Sequence, residues 1–303
     1  MKKVIKLILW LIVTFFILGG IYLYFTEFKK DKADDAISNN VIINSENNEE
    51  DEKVEVEKEE VEEALEKNEN DYETLNVNDV RVPILMYHSI SDADPNNSLL
   101  VPVQQFEEQI KWLKENGFTP MLLDDVVQAY TTGYVPKKPV AITFDDGYAD
   151  NYTEAYRILK QYDMKATFFI ITNTIDVDSY YMNSSMLNEM KNNGMGIENH
   201  TSRHIEFTSI SKEEKSNIIN EGIEKLKEKV GVDSKYVCYP VGRYDEETIE
   251  VEKALGIKGA VTTEYGISSL SDGLYSLKRI RISPMNIEAV SYTHLTLPTI
   301  YSV

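Results

Sequence analysis

Five side chains in this sequence could do acid–base or metal chemistry together: His88, the adjacent pair Asp145-Asp146, and the pair His200 and His204. Adjacent carboxylates can divide the labour, one ligating a metal ion while its neighbour orients or deprotonates water. Histidines four apart can meet one ion where the segment is helical or turned. Two His and one carboxylate with an open coordination position suit Zn²⁺ or another first-row divalent ion. Such an ion lowers the pKa of water to about 7 and polarises a carbonyl oxygen. Taken singly, each feature has an ordinary structural explanation: Asp-Asp-Gly after a strand usually makes a turn, and a lone His usually satisfies local hydrogen bonds. Their joint occurrence at strand ends favours a reaction centre.

The elements that must position them follow from hydrophobic patterning. Apolar runs at Val82–Met86, Thr119–Leu122, Val140–Phe144, Thr167–Ile171, Met195–Ile197 and Tyr236–Cys238 predict buried strands. Amphipathic stretches at Phe106–Lys114, Asn151–Gln161, Met186–Asn193 and Lys212–Val230 predict the helices between them. Strands alternating with helices imply an α/β fold with a parallel sheet, and about seven such units suggest a closed or nearly closed barrel. In such barrels chemistry collects at the C-terminal ends of the strands. Val82–Met86 runs into His88, Val140–Phe144 into Asp145-Asp146, and Met195–Ile197 into His200 and His204.

The net charge of −20 argues against nucleic-acid binding, which needs clustered cations. That charge is uneven: residues 31–80 hold 19 Asp/Glu against 4 Lys. Residues 26–80 therefore read as a solvated, disordered acidic linker. Before it, Lys2, Lys3 and Lys6 precede an uncharged apolar run from Leu7 to Phe25. No small-residue cleavage site follows, so residues 1–25 are expected to be an uncleaved signal anchor, a transmembrane helix with the remaining chain outside the cell. Residues 81–289 form the expected catalytic domain. Residues 290–303 break the preceding pattern and back-translate codon by codon into a transposase-type sequencing adaptor, so they are expected to be non-native. His294 is accordingly set aside.

Other chemistries are disfavoured. The single cysteine, Cys238, excludes an intramolecular disulfide and a multi-cysteine metal site. Asp92-Ala-Asp94-Pro-Asn96 starts like a calcium loop, but Asn97 and Val103 stand where Gly and Glu are required. There is no nucleophile elbow and no phosphate-cradling loop. The 19 tyrosines are read as core and surface filling rather than sugar-stacking platforms.

Thr143-Phe144-Asp145-Asp146-Gly147 with His200-Thr-Ser-Arg-His204 resembles the polysaccharide deacetylases of carbohydrate esterase family 4. The likeness covers about residues 82–289. It implies a distorted (β/α) barrel and metal-dependent removal of acetyl groups from carbohydrate, with Asp145 as catalytic base and Asp146, His200 and His204 as ligands of Zn²⁺ or a similar ion. Pro83-Ile84-Leu85-Met86-Tyr87-His88-Ser89-Ile90 is similar to the poly-N-acetylglucosamine deacetylase subgroup, whose catalytic acid lies ahead of the Asp-Asp motif; His88 then becomes the acid. Tyr239-Pro240-Val241-Gly242 resembles the third family motif, which implies that the Val241 N–H holds the oxyanion. Tyr87, Tyr239 and Pro240 are then expected to touch substrate. Many relatives carry an Arg three positions ahead of that oxyanion donor to buttress the catalytic Asp; here Cys238 stands there, with Arg243 or Arg281 as candidate substitutes. The implied reaction is N-deacetylation of an extracellular N-acetylglucosamine polymer, poly-N-acetylglucosamine ahead of peptidoglycan or acetylated xylan. A non-catalytic carbohydrate-binding protein is the alternative from another class; it would require loss of one of the five residues, and none is lost. The partners implied are the N-acetylated polysaccharide and, through the N-terminal helix, a membrane, with no protein partner inferable.

Overall fold

A computed structural model describes residues 71–284. Seven parallel strands close a ring: β1 (Ile84–Tyr87), β3 (Pro139–Phe144), β4 (Thr167–Ile170), β5 (Gly196–Asn199), β6 (Tyr236–Cys238), β7 (Gly259–Tyr265) and β8 (Leu277–Arg281). β2 (Thr119–Met121) pairs with the first half of β3, while β4 pairs with its last two residues. Closure comes from β1, which pairs with β8 on one side and β3 on the other. Six helices connect the strands: α1 (Val103–Glu115), α2 (Leu123–Thr132), α3 (Arg157–Gln161), α4 (Ser184–Asn192), α5 (Lys212–Val230) and α6 (Glu246–Ala254). The expected α/β barrel of about seven strands is the observed one.

Burial on both faces explains why the strand sequences read as continuous apolar runs. All six residues of β3 are buried, with Val140, Ile142 and Phe144 in one core and Ala141 between them in another. Ala141 packs with Ile84, Phe169, Cys238, Val261 and Leu277, a set drawn from six ring strands that only the barrel interior brings together. Val140, Ile142 and Phe144 face outward into a cluster with Phe106, Ile110 and Leu113 of α1 and Leu226 of α5. Tyr87, Phe144 and Phe168, at or near the ends of β1, β3 and β4, stack across the sheet with centroid separations of 5.3 Å and 4.7 Å. Each such pair contributes about 0.5–1.5 kcal/mol beyond its buried area. The stack fixes the strand ends immediately before His88 and Asp145.

Helix ends are closed locally. Asn183 and Ser211 accept hydrogen bonds from Met186 N and Glu214 N at the starts of α4 and α5, and Gly231 ends α5 in the left-handed region. Within the stretch read as linker, Tyr72–Thr74 pairs antiparallel with Tyr134–Pro136, and Val80 is buried, so the folded unit includes residues from at least 72 onward. The expected membrane helix (1–25), most of the linker, and the tail (290–303) lie outside the described residues. Among the described residues no helix is long and apolar enough to cross a membrane.

Candidate active site

Asp145 and Asp146 follow β3 directly, at its C-terminal end. Asp145 N donates to Tyr87 O (3.0 Å), continuing the β1–β3 ladder, whereas Asp146 turns into the left-handed region at φ 73°. The reversal sends the two neighbouring carboxylates to different partners. Asp145 takes a bidentate fork from Arg279, Nη1 to Oδ1 at 2.8 Å and Nη2 to Oδ2 at 2.7 Å. Asp146 Oδ1 lies 3.3 Å from His200 Nε2 and 3.4 Å from His204 Nε2.

The two histidines come from the turn after β5. His200 N donates to Ile170 O (2.9 Å), and His204 N donates to Thr201 Oγ1 (3.0 Å). The turn bends back through Thr201 at φ 65° and His204 at φ 51°. A β-branched residue such as Thr201 rarely adopts such a φ, and residues held there cluster at functional sites. The His200 Nδ1–H donates to Cys238 O (2.8 Å), which fixes the tautomer and leaves Nε2 as a lone-pair donor.

This donor set fits a divalent metal ion. One oxygen of Asp146 and one nitrogen each of His200 and His204 lie within 4.8 Å of one another, and three protein ligands leave a position open for reaction. A second triple, Asp145–His200–Cys238, also converges. It is the poorer donor set: both Asp145 oxygens are engaged by Arg279, and burial pushes the Cys238 thiol up, so it stays protonated.

His88 sits on the loop after β1 with Nε2 3.9 Å from Asp145 Oδ2. Three hydrogen bonds with the start of the helical segment after β3 tie this loop down. Asn151 Nδ2 donates to His88 O (2.7 Å), while Ser89 Oγ and Ile90 N donate to the Asp150 carboxylate (2.6 and 3.1 Å). Asn151–Tyr156 is a π-helical turn, a form frequent at functional sites.

Electrostatics separate the roles. Burial alone would raise the Asp145 carboxyl, but the charge and hydrogen bonds of Arg279 outweigh it and hold it well below the ordinary carboxylate range. Burial lowers His88 and His204 below the ordinary imidazole value, against the raising effect of the two carboxylates. A charged His88 is therefore a stronger acid than free imidazole, and a neutral His204 keeps a lone pair to donate.

Val241 lies at the end of β6, in the Pro240–Gly242 turn, with φ 52° and its side chain exposed. The following Gly242 (φ 72°) has no room for a side chain, since a Cβ there would come 2.0 Å from Thr263 Oγ1.

Three expectations need correction. Tyr87 and Tyr239 do not face substrate: both rings are sealed in the core, with hydroxyls donating to Gln109 Oε1 (2.7 Å) and Glu252 Oε2 (2.7 Å). Pro240 is also buried and shapes the turn instead. Neither Arg243 nor Arg281 replaces the missing buttress, because both are exposed; Arg279, with no exposed surface, takes the role from β8. It also bonds Thr262 O, Thr143 Oγ1 and Cys238 Sγ, so the small Cys238 leaves space that a guanidinium from another strand fills. The sequence clue was a charged residue at a core-facing position within Leu277–Ile282.

Comparison with known proteins gives a consistent picture. The polysaccharide deacetylase family profile matches residues 132–260. A Bacillus subtilis protein, YxkH, named as a polysaccharide deacetylase, is 38% identical over 205 residues, covering 67% of this chain and 72% of that protein. The Staphylococcus aureus poly-beta-1,6-N-acetyl-D-glucosamine N-deacetylase is 30% identical over 199 residues, covering 60% of this chain and 68% of its own length. Among solved structures, the Streptococcus pyogenes deacetylase PplD, in complex with acetate, superposes with a TM-score of 0.69 at 34% identity, over 71% of this chain and 98% of that one.

Proposed function

The chain belongs to the polysaccharide deacetylase family, and we propose that it hydrolyses acetamide groups of an extracellular N-acetylglucosamine polymer, poly-N-acetylglucosamine by preference, to free amines and acetate. One observation carries the reading: a carboxylate kept ionised by a buried arginine stands beside a separate carboxylate–histidine–histidine donor set, with a histidine 3.9 Å away. The retained histidine favours an amide over an ester, since an amine leaving group needs protonation far more than an alkoxide does. The uncharged Leu7–Phe25 run and the acidic stretch after it support a membrane-tethered domain acting outside the cell.

Asp146, His200 and His204 would hold Zn²⁺ or another first-row divalent ion, which supplies a Lewis acid that polarises the acetamide carbonyl and acidifies water. Asp145, ionised and oriented by Arg279, takes the proton from the attacking water at a carboxylate oxygen. The Val241 N–H donates to the carbonyl oxygen as it gains negative charge. His88, charged, gives a proton to the nitrogen as the C–N bond breaks, so the products are acetate and a free amine.

The test is acetate release by the full chain from poly-β-1,6-N-acetylglucosamine, peptidoglycan and O-acetylated xylan, before and after chelation and zinc re-addition. Release from the β-1,6 polymer that chelation removes and zinc restores is expected. Faster release from peptidoglycan or xylan would reassign the substrate. Binding without release from any of the three would mark a carbohydrate-binding protein. Asp145→Asn should abolish turnover while leaving zinc content intact; retained activity would refute the base assignment.

A further inference from the structure

Beside the ligand cluster stand three tyrosines that no step above uses. Ala149 N donates to Tyr180 O (2.9 Å), Met182 N donates to Gly147 O (2.9 Å), and Tyr148 bridges antiparallel to Tyr181. The loop of residues 178–182 is thereby stitched to the chain leaving Asp146. The Tyr148 and Tyr181 rings stack with centroids 5.5 Å apart and 22° between planes. The Tyr180 ring meets both edge-on, at 5.2 Å from Tyr148 and 5.3 Å from Tyr181. Tyr148 follows Asp146 by two residues, so this aromatic wall adjoins the candidate metal site. Its outer member, Tyr180, is 62% exposed.

An aromatic ring left in water gives up burial energy that a core position would recover, and here the exposed ring continues a cluster of two others beside the candidate site. The edge-on contacts also fix the Tyr180 ring before any ligand arrives, which lowers the ordering cost of binding. We propose that Tyr180, held by Tyr148 and Tyr181, is a stacking platform for a pyranose ring of the polymer, the sugar next to the one losing its acetyl group. The assignment rests on the polymer-deacetylase reading. A pyranose has a face of C–H groups and a rim of hydroxyls, and tyrosine offers the matching apolar body and polar tip. The reacting acetamide occupies the Asp145–Asp146 centre, so a ring standing to its side meets the neighbouring sugar. A polymer fills both positions and a monosaccharide only one.

The experiment compares the full chain with Tyr180→Ala and Tyr180→Phe, using N-acetylglucosamine and its β-1,6- and β-1,4-linked tetramers. Binding is read by calorimetry and turnover by acetate release. Tyr180→Ala should weaken tetramer binding and raise the tetramer KM roughly three- to tenfold, with a smaller change for the monosaccharide. Tyr180→Phe should restore the tetramer values, because the ring and not the hydroxyl makes the contact. Equal losses for monosaccharide and tetramer, or no loss for either tetramer, overturn the platform. Acetate release by the parent with an unchanged tetramer KM in Tyr180→Ala sinks the platform alone. Ring-dependent tetramer binding without acetate release supports the platform and removes the hydrolytic reading; no tetramer binding by the parent overturns both.

Discussion

Removing Arg279 should cost this protein as much stability as a large core truncation, and the cost should depend on Asp145. Arg279 is fully buried and makes five hydrogen bonds, two of them to the Asp145 carboxylate. Arg279→Met removes the only charge that forks onto that carboxylate among the described residues. A buried ion whose partner is deleted destabilises a fold by about 3–5 kcal/mol, a fifth or more of the ~5–15 kcal/mol that usually holds a domain together. With a urea dependence of about 2 kcal/mol per molar, the unfolding midpoint should fall by roughly 1.5–2.5 M. Arg279→Lys keeps a charge but cannot form the fork, so a loss of about 1–3 kcal/mol is expected. The assay is urea unfolding with chelator present, on the parent, Arg279→Met, Asp145→Asn and the double variant. The two single losses should exceed the double loss by more than about 2 kcal/mol, because each single change strands the other's charge or donors. A loss under about 1 kcal/mol for Arg279→Met, or additive losses, would refute the account of how Asp145 stays ionised.

Zinc at 100 times its dissociation constant should stabilise the parent by about 2.7 kcal/mol, and Asp146→Ala or His204→Ala should abolish that gain in thermal melts; a gain that survives both changes would place the ion elsewhere. Burial pushes the Glu198 carboxyl up to about 7 and the Glu252 carboxyl up to about 8, from an ordinary 4.5. The folded chain therefore keeps protons that the unfolded chain has already released, and stability from these groups should decline as pH rises from about 4.5 to 8. Glu252→Gln should flatten that decline, and melts of parent and variant that run parallel across this range would show Glu252 is not buried as a neutral acid. Val241 holds a φ of 52°, where a β-branched residue costs roughly 1–2 kcal/mol. Val241→Gly should therefore raise the melting temperature by a few degrees, and a lower one would mean that the side chain is held by contacts worth more than the strain.

The sequence made the centre's local pieces readable, and its long-range pairings were not. Thr143–Gly147 and His200–His204 are contiguous, and the apolar runs before them mark the strand ends that present them. Arg279 and Asp145 are separated by 134 residues, and a single sequence carries no signal for which arginine crosses the barrel. Arg281 shares strand β8 with Arg279 and differs only in lying beyond the buried stretch, a distinction visible once β8 is paired with β1. Tyr87 and Tyr239 misled for a related reason. They adjoin His88 and the Pro240–Gly242 turn in the chain, but closeness in sequence does not fix which way a side chain points, and both rings turn into the core. The strands at 259–265 and 277–281 escaped the pattern because β7 runs out into exposed residues and β8 carries Lys278, Arg279 and Arg281.

The position of Arg279 on the last strand also sets an order of events during synthesis. The three candidate metal-ligand side chains lie within residues 146–204, which a ribosome releases before residues 277–281. Only when β8 enters between β7 and β1 does Asp145 acquire the guanidinium that keeps it ionised. The Arg279–Asp145 fork is therefore a report that the ring has closed, because the guanidinium that offsets the burial of Asp145 arrives with the strand that completes it.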